Sequence, residues 1–324
     1  LKGRGERVTI RGENDVLLAD IIIGKKVPGR PDFRFVRLPG QKRVYAAKTD
    51  INISTKFSDW IETDLLKVNK DDIQTVVLKD YSINERTGMV NMRDVVTLNK
   101  KDSDWKMDKV PAGKEVDKTK VNDLLTALDQ LSIVGVRPKP AGLSASLSKM
   151  SGGVRITQQD MLSLQSKGYF FSRDGQLLSN EGELQAETKD GVKYTLRFGE
   201  VVYGTGLAVS AGLDTSSTEH KGPGENRYLF ITASFDSKLF PEPRKPKNTD
   251  FLSKPDSLWT DRDRKNKQLY DTHQEWEQKV QKGKSRVDEL NARFAKWYYV
   301  ISASRFDKLH LKRKDLLKAR KKSK

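Results

Sequence analysis

The chain has no cysteine, which removes disulfides, thiolate nucleophiles and cysteine metal sites together. That absence fits the cytosol and equally a bacterial exterior built without structural disulfides. Histidine is nearly as scarce. His220, His273 and His310 are the only three, in a loop, on a helical stretch and near the C-terminus, with no spacing that brings them together as acid, base or ligand. Long apolar runs are missing too. None approaches the ~20 residues of a membrane-crossing helix, and the longest candidate, Val16 to Ile23, contains Asp20. Hydrophobic residues make up 35% of the 324 and the mean hydropathy is −0.69. Such values predict an extended, thin-cored molecule rather than one thick globule.

Positive charge is in excess. Lys and Arg number 61 against 44 Asp and Glu, a formal charge of +17. That surplus suits nucleic acid, anionic lipid or acidic polysaccharide without choosing among them.

One β-unit occurs twice in the sequence. The first copy opens Gly5-Glu6-Arg7-Val8-Thr9-Ile10, turns at Gly12 to Asp15 and runs Val16 to Ile23 into Gly24. The second opens Gly182-Glu183-Leu184, turns at Lys189-Asp190-Gly191 and runs Val192 to Phe198 into Gly199. An aromatic strand follows in each, Phe33 to Arg37 and Arg227 to Ile231, then a tyrosine strand, Arg43-Val44-Tyr45 and Trp297 to Ile301. Each copy ends on Asp-Leu-Leu-Lys, at Asp64 to Lys67 and Asp315 to Lys318. The fold class is therefore α+β, with two related antiparallel sheet units from an internal duplication, packed helices and one long amphipathic helix. We place the first β-unit at 1–115 and the second α+β unit at 116–324. A helix and loop region precedes the second copy and none precedes the first, so an equivalent segment and a membrane anchor are expected upstream of Leu1.

Helices read from periodicity. Val121, Leu124, Leu125, Leu128 and Leu131 share one face. Thr157 to Asp160 forms a capping box for a short helix stopping at Gly168. A seam of Leu269, His273, Trp276, Val280, Gly283, Val287, Leu290 and Phe294 at alternating spacings of four and three runs along a helix over 263–295. Residues 204–226 read as a mobile loop and Pro241 to Pro255 as an extended, solvated connector.

No pattern in the sequence calls for a cofactor, a metal or a catalytic residue. Gly283-Lys284-Ser285 resembles the end of a phosphate-binding loop, but position 278 is glutamine and a helix stands where a strand is required. Ser146 and Lys149 fit Ser-x-x-Lys, yet no partner motif follows. Asp261-Arg262-Asp263 reads as a helix cap. Two surfaces remain. A protein partner would use Leu269, Trp276, Val280, Val287, Leu290 and Phe294, the alternative being that the seam packs on its own sheet. A polyanion would use Lys312, Arg313, Lys314, Lys318, Arg320, Lys321 and Lys322, the alternative being a solvated, partly disordered tail.

The glycine-ended strand, the aromatic strand with Arg37, Val44-Tyr45 and the segment from Trp60 to Leu66 resemble the bacterial family called domain of unknown function 4340. Gly182-Glu183, Asp190-Gly191, Tyr194 to Leu196, Phe198-Gly199 and Trp297 to Val300 are similar to it in the second half. The resemblance implies an extracytoplasmic protein of the bacterial cell envelope. It further implies membrane association through a segment outside this chain, and a place beside gliding-motility-type ABC-transporter components. It carries no catalytic residues. The expectation is a non-enzymatic accessory or scaffold of a membrane complex, with a polyanion-binding module as the alternative.

Overall fold

The computed structural model describes residues 5–12, 15–49, 54, 57–62, 64–84, 87–148, 156–172, 175–204, 209–210 and 225–320. Packing divides the chain into two compact units, Leu1–Asp59 and Trp60–Lys324. The first unit is a four-stranded antiparallel sheet in sequential order, β1 (Glu6–Arg11), β2 (Leu17–Val27), β3 (Arg30–Arg37) and β4 (Tyr45–Lys48). Alternation of apolar and polar residues makes these strands. Val8, Ile10, Ala19, Ile21 and Ile23 point to one face, while Arg7 and Asp20 pair on the other at 2.6 Å. Gly29, at φ +74°, closes the two-residue turn from Val27 to Arg30.

The second unit continues with β5 (Ile73–Asn84), β6 (Met89–Lys101), β7 (Asp104–Met107), β8 (Lys114–Val116), α1 (Lys118–Asp129), β9 (Gly135–Pro138), α2 (Ala141–Ser148) and α3 (Gln158–Gln165). It is completed by β10 (Tyr169–Phe171), β11 (Leu177–Ser179), β12 (Glu183–Thr188), β13 (Val192–Val202), β14 (Asn226–Phe235), α4 (Asp261–Ala295), β15 (Trp297–Ile301), α5 (Ala303–Leu309) and β16 (Leu317–Ala319). Its main sheet has eight strands in the order β7-β6-β5-β12-β13-β14-β15-β9, with β10-β11 and β16-β8 as small ribbons. This sheet draws strands from both sides of residue 115, so the boundary placed there from sequence falls inside one unit. The architecture is α+β, and no helix among the described residues is long and apolar enough to cross a membrane.

The predicted helices form for the reasons read from their residues. Asp117 caps α1 by accepting from the Thr119 N–H, and the stripe of Val121, Leu124, Leu125 and Leu128 is buried. Thr157 with Asp160 caps α3, and Thr260 with Asp263 caps α4, each as a reciprocal capping box. The 35-residue α4 is continuous through Gly283, where a Cβ would lie 2.3 Å from the Phe235 ring. Glycine at this seam position lets the helix cross that aromatic closely.

One expectation needs correction. The connector from Pro241 to Pro255 is not wholly solvated, because Phe251 is fully buried against Trp259 and Tyr270. The loop placed at 204–226 lies almost entirely outside the described residues.

Strand order β12-β13-β14-β15 repeats the sequential meander of β1-β2-β3-β4, and the registers agree through the middle of the ladders, diverging at Arg11 with Leu17 and at Val27 with Arg30. Val36 opposes Ile23 and Tyr45, as Leu229 opposes Phe198 and Tyr299. Arg34 opposes Lys26 and Ala47, as Arg227 opposes Val201 and Ile301. Both second strands break register at the same place. Gly24-Lys25 and Gly199-Glu200 each face a single residue across the ladder, which is the geometry of a β-bulge. Val8 against Ile21 corresponds to Leu184 against Leu196, so Arg7, not Glu6, is the counterpart of Glu183.

Candidate functional site

The groups with chemical potential gather on the face of the eight-stranded sheet that carries Lys79, Glu183 and Arg197. These three are neighbours across β5, β12 and β13. The Glu183 carboxylate, almost fully buried, meets Lys79 Nζ at 2.7 Å and Arg197 Nε at 3.3 Å. It also accepts from Tyr81 Oη at 3.3 Å and Gln185 Nε2 at 2.9 Å. Burial and the nearby carboxylate push the Tyr81 phenol up to about 12. This carboxylate has two cations and two further donors, so it is a satisfied structural ion rather than a base waiting for a substrate.

Farther along this face lies an aromatic box. Lys139 is 6% exposed, with Nζ 4.1 Å from the Phe230 ring centroid and 5.3 Å from that of Tyr298. It donates to the Phe294 carbonyl at 2.9 Å. Burial without a carboxylate partner lowers its ammonium to about 7. Lys167 sits over Tyr228 and Tyr298 and is lowered by desolvation and by Arg137. Tyr298 exchanges a hydrogen bond with Ser163 at 3.1 Å. Tyr169, stacked on Tyr298, keeps a buried hydroxyl with no hydrogen-bond partner among the described residues. Gly199 makes room for it, since a Cβ there would be 2.9 Å from that hydroxyl. An amine that neutralises near pH 7 is a nucleophile in principle. Here it is enclosed by rings and already donates to a carbonyl, so its role is packing.

The sequence-selected residues fall into place differently. On α4, Val287, Leu290 and Phe294 are buried in the main core, while Leu269, Trp276 and Val280 are half-buried. Trp276 Nε1 donates to the Phe240 carbonyl at 2.8 Å. The C-terminal half of the seam thus packs against its own sheet, and a partner helix cannot use those three side chains without opening the core. In the basic tail, Arg313 grips Asp94 at 2.9 and 3.0 Å and donates to the Val95 carbonyl at 2.8 Å. That guanidinium lowers the Asp94 carboxyl. Lys318 lies in β16, 3.6 Å from Glu115, and Arg320 N–H donates to the Gly113 carbonyl. Lys312 and Lys314 are exposed on either side of Arg313. The chain through Arg320 is therefore an ordered strand and turn rather than a loose tail; Lys321 and Lys322 lie outside the described residues. Ser146 sits in α2, and Lys149 lies outside the described residues.

Sequence reasoning missed the Lys139 box. Its only local sign is a lysine between Pro138 and Pro140, a rigid backbone that fixes where the side chain points.

A protein of this build is an α+β pairing of two like-registered antiparallel meanders, whose buried ions serve the sheet. A family model described as Domain of unknown function (DUF4340) matches residues 3–146, so this part of the chain belongs to that family, in agreement with the sequence resemblance. The similar residues of the second half lie beyond the match. No curated protein and no solved structure matches the chain.

Proposed function

We propose that this chain is a non-enzymatic accessory or scaffold of a membrane complex in the bacterial cell envelope, acting through protein contacts. The observation that carries this reading is the first unit's sheet. On the face it shares with Ile23 and Val36, Ile10 and Tyr45 are 48% and 45% exposed, large apolar side chains in water of the kind that protein contacts cover. The charged clusters support it from the other side, because Glu183, Lys139 and Arg313 are all engaged within the fold. The polyanion reading is weaker, since Arg313 and Lys318 of the basic tail face carboxylates of the same chain.

The test places a photo-crosslinking amino acid at Tyr45 in the full-length protein within native membranes, followed by mass spectrometry. Repeated capture of the same membrane-complex subunits supports the scaffold reading. Capture confined to nucleic acid, lipid or polysaccharide, with retention on a polyanion matrix that collapses as salt rises, would replace it with the polyanion reading.

A further inference from the structure

β6 is the longest strand of the main sheet, and only part of it is bordered on both sides. Along one edge it pairs with β5 from Met89 to Asn99. Along the other, β7 pairs with Leu98 to Lys101 alone. Asp108 continues that border by one residue, its carboxylate accepting from the Thr97 N–H and its own N–H donating to the Thr97 carbonyl. Arg313 then closes it by donating to the Val95 carbonyl. From Val90 to Asp94 no backbone group bonds to any element other than β5 among the described residues. Unpaired ladder groups are a template for a further strand. The usual guards are absent or turned away. No proline or lysine stands between Met89 and Asp94, Arg93 reaches back to Asp80 and Ser82 of β5, and Asp94 is held by Arg313. A bulge at Arg93 divides the edge, so the free length is Met89–Met92, matching the four residues that hold β7. The cover on the side chains stops at the same line. Tyr81 and Ile83 are 1% and 9% exposed, while Met92 and Val90, opposite them on the same face, are 55% and 39% exposed.

We propose that the outer edge of β6 at Met89–Met92 receives an extended, acidic segment of a partner polypeptide as an added antiparallel strand, with apolar side chains at alternate positions beside Val90 and Met92. This rests on the scaffold reading and gives it a surface and a partner chemistry. Open backbone groups along a sheet edge set the occupant as a strand, and the two exposed apolar side chains supply its specificity. Every strand pair of the main sheet is antiparallel, so the added strand starts at the Val95 end and runs toward the turn before Met89. Its N-terminal end then lies by Arg313. There Lys109, whose carbonyl accepts from Arg313, and Lys312 and Lys314 on either side of Arg313 are exposed. Lys109 and Lys314 make no ion pair among the described residues. Carboxylates at the N-terminal end of the incoming strand complement them.

The experiment uses the chain of 324 residues and a synthetic peptide, acetyl-Glu-Asp-Glu-Val-Thr-Val-Thr-Val-amide, with a second in which lysine replaces the three acids. Binding is followed by fluorescence anisotropy, and the protected amides are located by hydrogen exchange. Saturable binding of the acidic peptide is expected, with newly slowed exchange centred on Met89–Met92, and about tenfold or more weaker binding of the lysine peptide. Val90→Lys with Met92→Lys, both at exposed positions, weakens the acidic peptide by a similar factor. Two further peptides are N-methylated, one on its valine and one on its threonine amides. One of them binds like the parent and the other does not, because only alternate amides face the ladder. Absence of binding by the acidic peptide overturns the proposal, as does binding indifferent to the paired lysine changes, to peptide charge or to both methylation patterns. Dimers of the chain that the lysine changes abolish, without peptide binding, assign the edge to a second copy instead. Membrane-complex subunits captured from Tyr45 while no peptide binds remove the strand site and leave the scaffold reading standing. Peptide binding at β6 with only polyanions captured from Tyr45 does the reverse.

Discussion

The meander β1–β4 and the meander β12–β15 hold the same ladder in opposite surroundings. Ile23 and Phe198 precede the same bulge and oppose the equivalent residues Val36 and Leu229. Phe198 is closed in by Phe306 and His310 beneath a helical layer, while the first sheet leaves Tyr45, beside Val36 on the face of Ile23, half in water. Strand pairing follows from local alternation and the glycine bulge, whereas burial depends on what the rest of the chain brings to the face. Stability should therefore be unequally distributed between two units of equal pattern.

The largest contrast is expected in the core pair. Phe198→Ala should cost about 3–5 kcal/mol at a site closed in by Phe306 and His310, and Ile23→Ala, a smaller side chain at 6% exposure, about 2–3 kcal/mol. Urea unfolding combined with segment-resolved hydrogen exchange measures both. Equal losses would break the comparison.

Next comes Lys139, boxed by Phe230 and Tyr298, whose counterparts in the first meander are Arg37 and Val44. Its folded-state value is about 7, below the ~10.4 of an unfolded lysine. The unfolded chain thus binds the extra proton across that interval, and stability rises with pH from about 7 to about 10, by at most ~4 kcal/mol. Above about pH 10 the sign reverses. Tyr81, Tyr298 and Tyr299 are held at about 12 by burial, so the unfolded chain deprotonates first and stability falls. Lys139→Met should flatten the rise and spare the fall, as read from urea midpoints between pH 7 and 11. A wild-type profile flat from pH 7 to 10 would remove this asymmetry.

The bulge glycines form a third pair. A Cβ at Gly199 would lie 2.2 Å from the Lys167 carbonyl, and at Gly24 3.0 Å from that of Phe35. We expect Gly199→Ala to lose about 2–3 kcal/mol and Gly24→Ala about 1 kcal/mol, by thermal or urea unfolding. The smallest effect belongs to Tyr45→Ser, within about 0.5 kcal/mol, against a several-fold larger loss for Tyr299→Ser.

Much of this fold was legible because it is written in short-range signals. The alternation of Val8, Ile10, Ile21 and Ile23, the turn glycines and the capping residues Thr157 and Asp263 each act over a few residues. The α4 seam also announced itself, but periodicity alone cannot say whether Val287 and Phe294 face a partner or their own sheet. That is settled by contacts with residues scores of positions away. β9 escaped notice for a related reason. Pro138 reads as a helix stop and is in fact the end of an edge strand, where a missing N–H is tolerated. The Lys139 box was invisible because its rings come from β14 and β15, and Arg313 looked like a solvated cation because Asp94 is distant in sequence.

The matching bulges have a consequence for how the chain must assemble. Two sets of strands whose partners are interchangeable in spacing coexist on one polypeptide, so β2 could accept β14 as readily as β3 during folding, and two molecules could trade strands outright. Sequence distance is what protects against this. Neighbouring strands joined by tight turns at Gly29 and Asp190-Gly191 meet long before a distant look-alike arrives. Lengthening either turn would give crossed pairings time to form, and the resulting exchange of strands between molecules would appear as dimers that accumulate with concentration during refolding.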